Sequence, residues 1–173
     1  MIKFSEQSFP MLGKLTFAAE ENKLTGLWLE GQKYFLSSYK NGLVRVDDDP
    51  TLCRAKEWIG RYVNGEKPEI NELEIAPNGG EFRQTVWKIL CEIPYGEVTT
   101  YGRIAKEIAA LRGVERMSAQ AVGNAVGHNP ISIIIPCHRV VGANGSLTGY
   151  AGGIDKKLIL LQHEGIETNK LLR

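Results

Sequence analysis

Cysteine and histidine are scarce in this chain, three of each in 173 residues. Cys53, Cys91 and Cys137 stand far apart, with no pair at disulfide-framework or CxxC spacing. That scatter excludes a disulfide-stapled scaffold and suits a reducing compartment. His128, His138 and His163 are equally dispersed, so no zinc-site spacing is present, and we expect neither metal nor cofactor. Long apolar runs are missing too. The longest, Ile133 to Ile135 and Leu158 to Leu161, fall far short of the ~20 residues a membrane span needs. The opening Met1-Ile2-Lys3-Phe4-Ser5-Glu6 has no apolar signal core or small-residue cleavage site. A cytoplasmic protein without a membrane partner is the expectation.

Charge of one sign is lacking as well, since the net charge is +1. The halves differ, however. Residues 1–76 carry 10 Lys/Arg against 12 Asp/Glu, a net of −2, and residues 77–173 carry 11 against 8, a net of +3. This mild basic bias permits nucleic-acid binding through shape and insertion more than through counterion release.

What is present divides at a Gly-, Pro- and Asn-rich stretch from Asn64-Gly65 to Gly79-Gly80, which predicts domains over 1–76 and 77–173. In the first, 14–19, 24–29 and 33–37 read as strands, with a hairpin turn at Glu20–Lys23. Asp49-Pro50 starts a helix whose apolar face is Leu52, Ala55, Trp58/Ile59 and Tyr62/Val63, stopped by Gly65. The second half reads as mainly helical: 81–91 ending before Ile93-Pro94, a helix from Tyr101 to about Leu111 capped by Thr100, and 119–127 capped by Ser118. The last two, joined by a short turn, resemble a helix-turn-helix.

The 119–127 helix is nearly bald. Ala119, Ala121, Val122, Gly123, Ala125, Val126 and Gly127 leave only Gln120 and Asn124 polar. A glycine inside a helix costs about 1 kcal/mol relative to alanine, so something must require close approach. Tight packing on the core is one explanation. A slim helix fitting a narrow DNA minor groove is the other, and it agrees with the shortage of side chains able to read a major groove.

Ile131–Ile135 is a β-branched run, most simply a buried strand, ending in Pro136-Cys137-His138-Arg139-Val140-Val141. Pro136 cannot continue a ladder, so Cys137 sits where the backbone leaves the strand. A lone cysteine is commonly a small buried hydrophobe, and reactivity needs a base or positive surroundings. His138 and Arg139 supply candidates for both. A Cys–His hydrolase would need an oxyanion hole and a distant base, whereas adjacent residues at a strand end point in different directions.

Over residues 80–166 the sequence resembles the O6-alkylguanine-DNA alkyltransferase family. The resemblance is carried by Ile93-Pro94-Tyr95-Gly96-Glu97-Val98-Thr99-Thr100-Tyr101, Ala121-Val122-Gly123-Asn124-Ala125 and Asn129-Pro130. Further along it is carried by Ile135-Pro136-Cys137-His138-Arg139-Val140-Val141-Gly142, Gly149-Tyr150-Ala151-Gly152-Gly153 and His163-Glu164-Gly165. It implies a small α/β N-terminal domain, a sheet plus helix of ribonuclease H-like fold. A mainly helical C-terminal domain of winged-helix/helix-turn-helix type follows.

It also implies direct-reversal repair. The alkyl group of O6-alkylguanine, and of O4-alkylthymine, passes irreversibly and once per molecule to Cys137, with the base flipped out through minor-groove binding. Glu164 then polarises His138, which draws the thiol proton through a water. Tyr101 donates to the leaving guanine and wedges the nucleotide out, and Asn129 ties the recognition helix to the Cys137 segment. Pro136, Val140, Tyr150, Ala151 and Gly152 match the pocket wall. Thr100, Ala119, Gln120, Ala121, Gly123, Asn124 and Arg139 match DNA contacts. The partner is double-stranded DNA bearing the lesion, and the protein is expected to be a monomer, with cooperative binding on DNA left open.

Two departures stand out. Gln120 occupies the position where the family often carries an inserted arginine, which predicts weaker, less salt-dependent lesion binding. The N-terminal zinc held by some members has no ligand cluster here, since no histidine precedes His128. A non-catalytic module that recognises alkylated bases is the alternative, but relatives of that kind replace the acceptor cysteine.

Overall fold

A computed structural model describes residues 1–37, 39, 42–147 and 149–171. Contacts divide them into two compact units. One comprises Met1–Asn78 with Pro130–Ile134, the other Gly79–Asn129 with Ile135–Arg173.

The first unit is built on a mixed four-stranded sheet, ordered β3-β2-β1-β4. Here β1 is Ile2–Phe9, β2 Gly13–Glu20, β3 Lys23–Leu29 and β4 Leu43–Arg45. β1 runs antiparallel to β2 and parallel to β4, and β2 runs antiparallel to β3. The β2–β3 hairpin turns on Glu21 and Asn22, both at positive φ (49° and 63°). That is the mirror-image turn whose twist matches the strands. Helix α1 (Pro50–Val63) packs on the sheet through Leu52, Ala55, Trp58, Ile59 and Tyr62. Asp49 caps it, accepting from the Thr51 and Leu52 amides, with Pro50 in the first turn.

Two strand expectations fail. Residues 33–37 form turns, because Tyr34 and Leu36 take positive φ (60° and 54°) and Phe35 folds its ring edge onto Trp28, 5.8 Å between centroids. Residues 131–135 are buried as expected but are not a strand. Only Ile131 bridges, to Leu27, and Ile133 sits at φ 71° with the Ile134 amide bonded back to the Ser132 carbonyl. That is a γ-turn in its strained form, a conformation costing a β-branched residue about 1–3 kcal/mol. Hydrogen bonds from Ser132 to the Leu27 carbonyl and to Gln32 Oε1 hold the segment in place.

The second unit is mainly helical. It contains α2 (Glu81–Cys91), α3 (Tyr101–Arg112), α4 (Ala119–Gly127) and α5 (Ile154–His163). Thr100 caps α3 by accepting from the Arg103 amide, and Gly113 ends it at φ 64°. Ser118 caps α4 by accepting from the Ala121 amide. Helix α4 packs on α2 and α3 through Val122, Ala125 and Val126, and Trp87 Nε1 donates to its Ala125 carbonyl at 2.9 Å. A two-residue parallel pair, β5 (Thr99–Thr100) with β6 (Val140–Val141), joins the start of α3 to the chain just after Arg139. Val141, Leu147 and Leu161 form a further apolar cluster closed by Ile154, Leu158 and Ile166. Among the described residues no helix is long and apolar enough to cross a membrane.

Candidate active site

Cys137 owes its position to two tight turns. Pro136 sits at φ −81°, ψ 63°, and the Cys137 amide donates to the Ile135 carbonyl at 2.8 Å. This is an inverse γ-turn, which the fixed φ of proline favours. A 3-10 turn over Cys137–Arg139 follows at once and buries all three side chains. Asn129 clamps the approach, with Nδ2 donating to the Ile135 carbonyl at 2.9 Å.

The 3-10 turn aims His138 and Arg139 at Glu164, the C-cap of α5. His138 Nε2 lies 2.6 Å from Glu164 Oε2, Arg139 Nε donates to Oε1 at 2.8 Å, and the Gly96 amide donates to Oε1 at 3.1 Å. Burial pushes the Glu164 carboxyl up, but hydrogen bonds from His138 and Arg139 and the charge of Arg139 outweigh it and hold the group well below the usual carboxylate range. A carboxylate at a helix C-terminus opposes the helix dipole, so the site, not the helix, accounts for Glu164.

His138 is fully buried, and burial lowers its pKa against the opposing pull of Glu164. The imidazole is therefore neutral. With a carboxylate accepting at Nε2, the proton is assigned to that nitrogen and Nδ1 becomes the basic one. Among the described residues the buried Nδ1 has no hydrogen-bond partner. The constellation thus offers a thiol, a neutral imidazole with one free lone pair and an anion fixing its tautomer, the parts needed to activate a nucleophile.

Burial also raises the Cys137 thiol, opposed by a hydrogen bond with Asn129 and the charge of Lys157. Tyr101, first residue of α3, is pushed up to about 12 by burial and by Cys137. Its phenol stays protonated at neutral pH and can act as a donor. A Cβ placed on Gly149 would lie 3.4 Å from the Tyr101 hydroxyl, and one on Gly123 3.7 Å from its ring. Tyr101 therefore lies between α4 and the 149 loop. Tyr150 is buried and its hydroxyl has no hydrogen-bond partner among the described residues, Pro136 and Val140 are buried, and Ala151 and Gly152 are half-buried.

On α4, Ala119, Gln120 and Asn124 are exposed and Ala121 and Gly123 are half-buried, as is Thr100 before α3. Packing does not account for the glycines. A Cβ on Gly123 would make only ordinary contact with Tyr101, and one on Gly127 would lie 3.9 Å from the Gly149 carbonyl. Arg139 differs from its sequence expectation as a DNA contact. It is buried, with Nη1 on the Ile93 carbonyl at 2.7 Å and Nε on Glu164, so its charge points inward.

Sequence reasoning passed over Lys157 and gave the Tyr95-Gly96 turn no role at the site. Lys157 is completely buried, and Tyr95 stacks under the Arg139 guanidinium, 5.7 Å away, while donating to the His163 carbonyl. The signal for Lys157 was legible, because it falls on the apolar stripe of α5 with Ile154, Leu158 and Leu161.

A mostly helical unit buries a cysteine, a histidine and a glutamate beside a thin exposed helix. Residues 81–166 match the family of the 6-O-methylguanine DNA methyltransferase, DNA binding domain. The methylated-DNA–protein-cysteine methyltransferase of Mycolicibacterium paratuberculosis is 42% identical, over 95% of this chain and 93% of its own length. The enzyme of the same name from Methanosarcina mazei is 55% identical over 69% of the chain and 72% of its own length. A crystal structure of Mycobacterium tuberculosis OGT in complex with DNA superposes with a TM-score of 0.80 at 38% identity, covering 98% of this chain and 94% of that one. The chain belongs to the methylated-DNA–protein-cysteine methyltransferase family.

Proposed function

We propose that this protein repairs DNA by transferring the alkyl group of O6-alkylguanine, and of O4-alkylthymine, to Cys137, once per molecule. The buried Cys137–His138–Glu164 arrangement with a neutral imidazole is the observation that carries the reading. In it, Glu164 holds the Nε2–H tautomer, and His138 Nδ1 takes the thiol proton through a water. The thiolate attacks the alkyl carbon, so the S–C bond forms as the C–O6 bond breaks and the electron pair goes to the base. Tyr101 protonates the leaving base and is reprotonated with the proton held on His138, which leaves a thioether and a neutral guanine. No water can cleave that thioether under ordinary conditions, so the acceptor is spent.

Helix α4 enters the minor groove as the recognition helix of a helix-turn-helix in a winged-helix domain spanning 77–173. The α/β domain over 1–76, of ribonuclease H type, carries none of these groups. Slimness supports the groove reading, since α4 bears exposed Ala119, Gln120 and Asn124 and half-buried Gly123 on that side. The lesion base flips into a pocket walled by Pro136, Val140, Tyr150, Ala151 and Gly152, with Gln120 in the space it leaves. Asn129 positions Cys137, and Arg139 acts through Glu164 and not on DNA. We take the active species to be a cytoplasmic monomer.

Single-turnover kinetics test this. With excess O6-methylguanine duplex we expect one equivalent of repaired base per chain and then no further reaction, and none with Cys137→Ser. Continued turnover would point to a hydrolase. DNA binding without repair would point to a recognition module.

A further inference from the structure

The segment from Ile93 to Gly96 carries none of the reacting groups, yet its contacts converge on the Arg139–Glu164 pair and the helix end that holds it. The Ile93 carbonyl accepts from Arg139 Nη1 at 2.7 Å, and the Tyr95 ring faces the Arg139 guanidinium, 5.7 Å from centroid to carbon. The Tyr95 hydroxyl donates to the His163 carbonyl at 3.3 Å, and the Gly96 amide donates to Glu164 Oε1 at 3.1 Å. The same stretch then runs into Thr99 and Thr100, which pair with Val140 and Val141 directly after Arg139. A loop that merely linked α2 to α3 would need none of these. Burial and the charge of Glu164 push the Tyr95 phenol up, so it remains a donor at neutral pH. Gly96 takes φ 79°, and a Cβ there would lie 3.2 Å from the Glu164 carbonyl, so a side chain would push the two apart.

Glu164 is the C-cap of α5, and helix ends fray. Held only by its hydrogen bond to His138, the carboxylate would be free to swing away. Arg139 fixes its other oxygen, but a guanidinium on a long stem is itself fixed only by what flanks it. Tyr95 covers the guanidinium face, and Ile93 takes one of its terminal N–H groups. We infer that Tyr95 and Gly96 are positioning residues of the transfer reaction, holding Arg139 and Glu164 so that the carboxylate stays on His138 Nε2. This rests on His138 being the base for Cys137. Neither residue makes or breaks a bond. Their effect passes entirely through the orientation of the imidazole.

Tyr95→Leu removes the ring face and the hydroxyl, whereas Tyr95→Phe keeps the face and loses only the hydroxyl. With saturating O6-methylguanine duplex, methyl transfer by Tyr95→Leu should be at least about tenfold slower, because misplacing a reacting group by about 1 Å can cost about a hundredfold. Its DNA dissociation constant should be unchanged. Tyr95→Phe should recover most of the rate, since Arg139 keeps its aromatic cover. A Tyr95→Leu rate within about twofold of wild type overturns the inference, as does a loss confined to DNA affinity.

A second readout separates positioning from stability. The His138 Nε2–H lies in a short, buried, charge-assisted hydrogen bond, so its proton should appear far downfield in the NMR spectrum. The resonance should be sharp in wild type and in Tyr95→Phe, and broadened or missing in Tyr95→Leu well below its melting temperature. A merely structural tyrosine would lower the melting temperature and leave that resonance in place, which also overturns the inference. Wild-type protein that gains no methyl speaks against the acceptor reading instead, and the spectrum, which needs no DNA, still reports on the clamp.

Discussion

Glu164→Gln is the perturbation with the most calculable outcome. The carboxylate receives three donors, from His138 Nε2, Arg139 Nε and the Gly96 amide. Glutamine has nearly the same volume but one oxygen and one NH2, so at least one donor must face another. Arg139, buried and left with the Ile93 carbonyl, becomes an uncompensated cation. Removing one member of a buried pair costs about 3–5 kcal/mol. Arg139 retains slight exposure, so the lower end, about 3 kcal/mol, applies. In a chain of this size that corresponds to a Tm about 6–12 °C lower. The gap must also depend on pH. Because the folded state holds Glu164 below its ordinary value, its contribution is complete above the unfolded pKa of about 4.3 and is lost as pH falls below it. Thermal melts of both proteins from pH 7 to pH 3 test this. A gap under about 2 °C at pH 7, or one that persists undiminished at pH 3, refutes the ion-pair account.

Three further outcomes follow from the same geometry. His138 is held neutral by burial, so the unfolded chain takes up a proton that the folded one resists. Stability should therefore begin to fall as pH drops below about 6.5, and His138→Gln should abolish that onset while leaving the loss below about 4. Gly123→Ala should raise Tm by about 2–4 °C, from about 1 kcal/mol of helix propensity, yet weaken DNA binding in a fluorescence titration. Lower stability with unchanged affinity would restore tight packing as the reason for that glycine. Gln120→Arg should bind lesion duplex more tightly and with steeper salt dependence, and an unchanged isotherm would remove Gln120 from the interface.

Local signals were legible where one residue decides a local geometry. Asp49-Pro50, Thr100 and Ser118 announced their helices, and Glu21-Asn22 its hairpin, because caps and turns are short-range chemistry. Strand β1 was not, since its middle, Ser5-Glu6-Gln7-Ser8, is polar and Ser5 is buried with its hydroxyl bonded to the distant Asp47 and Lys56. The run 131–135 was read as a strand from β-branching. Its burial was correct, but the backbone is set by distant partners, Leu27 and Gln32, that no local window contains. In the same way Arg139 looked like a surface cation until Glu164, 25 residues on, turned it inward. Lys157 shows the converse, a charge on an apolar stripe that the fold buries against the Val140 carbonyl.

Intact-mass analysis of the protein after incubation with O6-methylguanine duplex, followed by peptide mapping, tests the central claim most directly. A gain of one methyl per chain, saturating at one, is expected on the peptide holding Cys137 and not on those holding Cys53 and Cys91. No gain, or a methyl on either of the other two cysteines, would contradict it.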